Sequence, residues 1–266
     1  MRSAVRSELT RLRQPRLLLA WFGLMALFAV MVNTIMVSFV AGAGAGVPPA
    51  GPGVTFPSLE ELERPSGLMA GLAAASSMFG VATLSLWAVV TAGDYSSGLV
   101  RLLVAAEPRR WPLLAGKVLA LVIVTAVATT VAAAVNVLAV MPAAATAGVD
   151  TSAWGRDLPA VVLGGWLNLF LALIVWGVLG MVIAVLTRSA AVAISAGVGY
   201  VLVIESLIRM VADAPSEWLL GSTLGALAGG GSSSLDYGTA LVLALAYVTL
   251  GLVLAGVVFA RRDVTD

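Results

Sequence analysis

Six stretches of this chain are long enough and apolar enough to cross a bilayer, and they leave little sequence for anything else. They are residues 17–40, 68–92, 117–141, 160–186, 190–212 and 238–260. A helix needs about 20 apolar residues to span ~30 Å of hydrocarbon, and each stretch meets that length. Of the 266 residues only 11% are charged, against roughly 25% in a soluble domain. The expected fold is therefore all-α and integral to the membrane, a single transmembrane domain over 1–266 with no room for a separate soluble catalytic unit. The first apolar run follows a basic segment, as in a secretory signal. Its 24 residues exceed the about 7–15 of a signal core, so it reads as an uncleaved span.

The distribution of Lys and Arg sets the orientation. Twelve basic residues fall on one side: five in the amino-terminal segment, Arg101, Arg109, Arg110 and Lys117 in the second connection, Arg188 in the fourth, and Arg261 and Arg262 in the tail. Three fall on the other, Arg64, Arg156 and Arg209, among nine carboxylates. The basic side is the cytoplasmic one, so both termini are expected inside, and an even number of spans requires the same. Residues 41–67 contain "AGAGAGVPPAGPG" and read as an exposed external loop with little regular structure. Residues 142–159 form a shorter external loop. Thr187 to Ser189 alone join the fourth and fifth spans, which predicts a tight antiparallel hairpin.

The connection "GDYSSGLVRLLVAAEPRRWPLLAGK", Gly93–Lys117, is unusually structured for a piece between two spans, and it holds the single Lys of the chain. A helix over 96–107 puts Leu99, Leu102, Leu103 and Ala106 on one face, with Arg101 opposite. Pro108 ends it, and "PRRWP" predicts a turn before the third span. Such a helix either lies on the membrane with Trp111 at the interface or lays its leucine stripe into a groove of a cytoplasmic partner. Periodicity does not separate the two. In the amino-terminal segment, Val5, Leu9 and Leu12 make a second amphipathic stripe flanked by Arg6 and Arg13, which reads as a positive-inside anchor on anionic lipid.

The order of Asp94, Tyr95, Gly98, Arg101, Pro108, Arg110 and Lys117 resembles the first cytoplasmic loop of ABC-2 type transporter permeases. Asp94, Ser96 and Leu99 depart from the residues most frequent there. The resemblance implies that this loop carries the coupling helix, with Leu99, Arg101, Leu102, Leu103, Ala106 and Arg110 meeting a separate ATP-binding cassette subunit. It further implies a second permease subunit, identical or related, in a bacterial inner membrane. ATP and Mg would be bound by the partner, since this chain lacks the G-x-x-x-x-G-K-[ST] loop; Lys117 is followed by Val. The amino-terminal segment would be an amphipathic interface helix that lies in the inner leaflet, turns at Pro15 and touches the ATPase. The segment 214–231, "APSEWLLGSTLGALAGGG", would be a re-entrant external piece with Trp218, Leu219, Leu220 and Leu224 on its apolar face.

Polar residues within spans, namely Asn33, Thr83, Thr125, Thr129, Thr130, Asn136 and Asn168, read as interhelical hydrogen-bonding groups. Gly164, Gly165, Gly177, Gly180, Gly197, Gly199, Gly251 and Gly256 read as sites of close helix approach. Glu205 and Arg209 are spaced i, i+4 with the acid first, the favourable order for a structural pair at the outer end of the fifth span. The family resemblance implies an outer gate there instead.

The absence of His and Cys removes imidazole and thiolate chemistry, so neither a metal site nor an intramembrane hydrolase is expected. A net charge of +1 gives no sign of a nucleic-acid partner. The reading is the permease subunit of an ATP-driven exporter, not an enzyme by itself. Its uncharged path suits an apolar or amphiphilic cargo such as a drug, lipid or hydrophobic peptide. The alternatives are a secondary transporter, which would want ionisable groups at mid-membrane, or a structural or sensory membrane protein.

Overall fold

The computed structural model describes residues 7–11, 15–43, 56–99, 102, 110–211, 218–232 and 234–261. Among these there are helices and connections and no strand. After a helical stretch at 7–11 come α1 (Pro15–Ala43), α2 (Leu59–Glu63), a 3-10 turn (Pro65–Met69), α3 (Ala70–Ala74) and α4 (Ser76–Ser96). Then follow α5 (Arg110–Ala147), α6 (Leu158–Thr187), α7 (Ala190–Gly199), a π-helical turn (Tyr200–Ile204), α8 (Glu205–Val211), α9 (Leu220–Gly229) and α10 (Tyr237–Arg261). Five helices, α1, α4, α5, α6 and α10, are long and apolar enough to cross a membrane.

Helix α6 is apolar around its circumference and lies at the centre, as such a helix must. It packs most extensively on α4, then on α10, while α1 packs along α5. Lipid tails are as apolar as leucine, so helices in a bilayer associate through close packing of small residues. The α4–α6 seam shows this twice. The indole of Trp176 fills the space beside Gly80, and that of Trp87 fills the space beside Gly177, where a Cβ would come within 2.5 Å of the ring. Gly180 lies against the Leu84 carbonyl and Gly197 against the Leu84 side chain. Gly165, Gly251 and Gly256 are packed likewise, but Gly164 and Gly199 face open space, contrary to expectation. Gly71 and Gly80 also belong to the close-packed set.

Asn33, Asn136, Asn168, Thr125 and Thr130 join helices as expected, whereas Thr83 and Thr129 donate to the Phe79 and Thr125 carbonyls of their own helices. Asn33 on α1 donates to Asn136 on α5 at 2.8 Å, and Asn136 donates to the Leu68 carbonyl at 2.9 Å. Trp87 donates to Thr125, Trp166 to Thr130, and Tyr237 to Asn168.

Several expected boundaries are corrected. The second span, expected as one run over 68–92, enters through the 3-10 turn and α3, bends at Ala75, and then runs as α4. Its entry is drawn into the α1–α5 seam, where Gly71 presses on the Asn33 amide and Leu68 is held by Asn136. Helix α5 begins at Arg110 and continues past Pro142 to Ala147, well beyond 117–141. Trp111 and Pro112 therefore lie in its first turn instead of a preceding turn; proline costs no hydrogen bond there. The fifth stretch is helical through its described residues, 190–211, but in three parts, α7, the π turn and α8 in succession. The 41–67 segment is partly regular: Ser58 and Glu61 form a reciprocal capping box on α2. Leu62 is buried there, and its carbonyl accepts from the buried Trp154 indole at 2.9 Å. Residues 44–55 of that segment are outside the described set.

The α6–α7 connection is as tight as its length predicts. Arg188 takes a left-handed conformation (φ 55°), and the Ser189 hydroxyl accepts from Val192 N–H to cap α7. At the start of α10, Asp236 accepts from the hydroxyl and the amide of Thr239, which lower its pKa below the usual carboxylate value.

Candidate functional site

The connection between α4 and α5 leaves the bundle at Asp94 and re-enters it near Lys117. These two side chains meet: Lys117 Nζ lies 2.6 Å from Asp94 Oδ2. Glu8, from the 7–11 helix, brings Oε2 to 3.4 Å from the same ammonium, and its other oxygen accepts from Arg11 at 2.8 Å. Lys117 is 9% exposed and Glu8 6%. A charge withdrawn from water is tolerated only when it is paired, and here two cations meet two carboxylates. Each position follows from local sequence. Asp94 lies in the last turn of α4, which closes through Ser97 N–H on the Gly93 carbonyl and ends at Gly98 (φ 69°). Lys117 lies two turns into α5. A void of about 30 Å³ between Glu8, Thr91, Asp94, Tyr95, Leu114 and Lys117 is about the size one water needs.

The neighbouring Tyr95 ties in a third element. The Arg188 guanidinium stands 6.0 Å from its ring centroid, within cation–π range. The ends of α4, α5 and α6 and the 7–11 helix thus converge on one polar cluster. Sequence reasoning named Asp94, Tyr95 and Lys117 but missed Glu8, the one acid in an arginine-rich segment. Its signal was that the only lysine of the chain sits deep in an apolar helix and needs more than one counter-charge.

The coupling residues expected from the sequence are only partly described. Helix α4 runs through Ser96 and a turn follows at 97–98, so the expected helix does not begin at Ser96; of the residues beyond that turn, Leu99 and Leu102 are described and both are helical. Leu99 is half-buried, and Leu102 is 69% exposed. Arg101, Leu103 and Ala106 lie outside the described residues, as do Val5, Arg6, Leu12 and Arg13 of the amino-terminal stripe. Arg110 opens α5, its side chain outside the described set. Leu9 packs on the core of the bundle, although its stripe reads as facing lipid.

At the opposite end of the bundle, Glu205 is 2% exposed. Its carboxylate accepts from Gly221 N–H at 3.0 Å and from the Ser222 hydroxyl at 3.1 Å, at the start of α9. A carboxylate at a helix amino terminus meets free N–H groups and the positive end of the dipole. Arg209 lies one turn on in α8, with its side chain outside the described residues. The expected re-entrant segment contains α9, with Leu224 buried and Leu220 half-buried, while Trp218 is exposed at its entry.

A third feature is an open apolar groove of about 500 Å³ between α1, α4 and α7, lined by residues such as Trp21, Leu24, Phe28, Val81 and Val89. Among the described residues no three Asp or Glu side chains gather as metal ligands would.

Length, apolarity and packing of these helices define an all-helical, multi-pass membrane protein. Residues 26–265 match a family described as "Protein of unknown function (DUF2705)", and the chain belongs to that family. No curated protein matches it significantly.

Proposed function

We propose that this chain is the membrane-spanning subunit of an ATP-driven exporter of the ABC-2 permease kind. It has six spans, the composite α7–α8 segment being the fifth, with both ends in the cytoplasm of a bacterial cell. The observation that carries this reading is the Asp94–Lys117–Glu8 cluster. It fastens both roots of the 93–117 connection to each other and to the amino-terminal helix. Force applied to that connection then moves α4 and α5 together instead of bending their ends separately. The exposed Leu102 supports a docking stripe on the connection, and a separate ATP-binding cassette subunit would supply the force.

A second copy or a related permease closes the groove of α1, α4 and α7 into a path. Its apolar lining suits a drug, lipid or hydrophobic peptide as cargo. ATP-driven closure of the paired ATPases would alternate that path between inner and outer exposure.

The test is reconstitution with and without a candidate ATP-binding cassette ATPase from the same organism. ATP hydrolysis stimulated by amphiphilic compounds should appear only in the joint complex. Hydrolysis by this polypeptide alone, or failure of the two to associate, would overturn the reading.

A further inference from the structure

Tyr200 and Glu205 grip the same end of α9. The Tyr200 hydroxyl accepts from Leu220 N–H at 3.1 Å, and Glu205 takes the next amide, Gly221 N–H, at 3.0 Å. Two consecutive free N–H groups of that helix are therefore satisfied by side chains of one neighbouring element. Gly221 is required for this, because a Cβ there would collide with the Glu205 carboxylate.

The spacing of these two residues is wrong for an ordinary helix. Five residues of α-helix turn a side chain about 140° away from the starting face, at 3.6 residues per turn. Here the intervening turn is π-helical, and Glu205 N–H bonds to the Tyr200 carbonyl, an i to i+5 closure. That wider turn sets Glu205 one turn on from Tyr200, so both reach α9. A π turn inside a helix is less favourable than α and recurs at functional sites. Shifting it by one residue would rotate Glu205 off Gly221.

Helix α9 is otherwise wedged into the bundle. Thr223, Leu224 and Leu227 are fully buried against α6, α10 and the α3–α4 region. We propose that Tyr200 and Glu205 form a releasable clasp on α9, and that the π turn between them is the hinge by which the clasp opens. α9 is then a lid whose amino end is freed when the π turn migrates. The clasp requires no assumption about what the chain transports.

The experiment uses the full-length protein in lipid nanodiscs, where both faces are accessible, and exploits the absence of native cysteine. Thr223→Cys reports the lid, and Ala128→Cys, equally buried but on α5 and outside the cluster that α9 packs into, reports the bundle. Tyr200→Phe should raise maleimide labelling at position 223 about tenfold, the effect of one lost buried hydrogen bond, and Glu205→Ala, which loses two, should raise it further. Glu205→Gln should fall between them and the parent, since its amide oxygen still accepts from Gly221. Deleting Val203, an exposed residue of the π turn, restores i, i+4 spacing on one α-helical face. That variant should keep the clasp but lose the hinge, and label more slowly than the parent. Unchanged labelling in Tyr200→Phe and Glu205→Ala would overturn the clasp. So would labelling at position 128 that rises in step with 223, because the two residues would then hold the whole bundle. Faster labelling after the Val203 deletion would overturn the hinge.

Discussion

Lys117 Nζ stands 2.6 Å from Asp94 Oδ2, and these residues mark the two points where one long connection leaves and re-enters the bundle. Their pairing makes that connection a closed, stiff hairpin at its base. Substituting either partner alone leaves a charge behind in a poorly solvated place. Lys117→Met and Asp94→Asn should each destabilise the protein by about 2–4 kcal/mol, somewhat less than a fully buried pair because both retain slight exposure. The exchange Asp94→Lys with Lys117→Asp should recover part of the loss. Unfolding in detergent, followed by tryptophan fluorescence, measures this; single variants as stable as the parent would contradict the assignment.

The glycines divide sharply by what faces them. Gly180→Leu and Gly177→Leu force a side chain into the Leu84 backbone or the Trp87 ring and should cost about 1–3 kcal/mol or more, as overpacked sites do. Gly164→Leu and Gly199→Leu point into open space and should fold at parental yield. The comparison is read as monodisperse protein recovered after solubilisation. Equal losses in both groups would contradict the packing described.

Asn33 and Asn136 should behave as a coupled pair. Within a membrane such a hydrogen bond is worth about 0.6–2 kcal/mol, and Asn136 additionally holds the Leu68 carbonyl. Asn136→Leu should therefore cost more than Asn33→Leu. The double variant should be less destabilised than the sum of the two, and a double-mutant cycle measures that coupling. Strict additivity would mean that the two amides act separately.

Helix α2 offers a local test. Ser58→Ala removes the acceptor for Glu61 N–H and should cost about 0.5–2 kcal/mol of local stability, as capping losses do. Faster amide exchange at 59–63, with the long helices unaffected, is the expected pattern in a hydrogen-exchange measurement.

Apolar run length made α1, α4, α5, α6 and α10 legible, and the three-residue link made the α6–α7 hairpin legible. The composite fifth segment was not, because a π turn adds one residue to a helix without changing its composition. Nor was the bend at Ala75, which follows from what Asn33 and Asn136 hold, not from the residues at the bend. Glycine count could suggest close packing but could not tell Gly164 from its neighbour Gly165, since adjacent residues point to different faces. Asp94 and Lys117 stood out as charges beside long apolar runs. Their partner Glu8 is more than a hundred positions from Lys117, and only folding brings it there.

The central claim is that the 93–117 connection docks on a separate ATPase through its leucines. Leu102→Ala with Leu103→Ala would remove roughly 2–4 kcal/mol of apolar contact from the centre of such an interface. Co-purification of this double variant with the cognate ATPase, from membranes in which the permease inserts normally, is the direct measurement. The account predicts that the ATPase is lost from the complex, while Arg101→Glu on the opposite face retains it. Undiminished recovery of the ATPase with the double variant, together with unchanged cargo-stimulated hydrolysis, would contradict it.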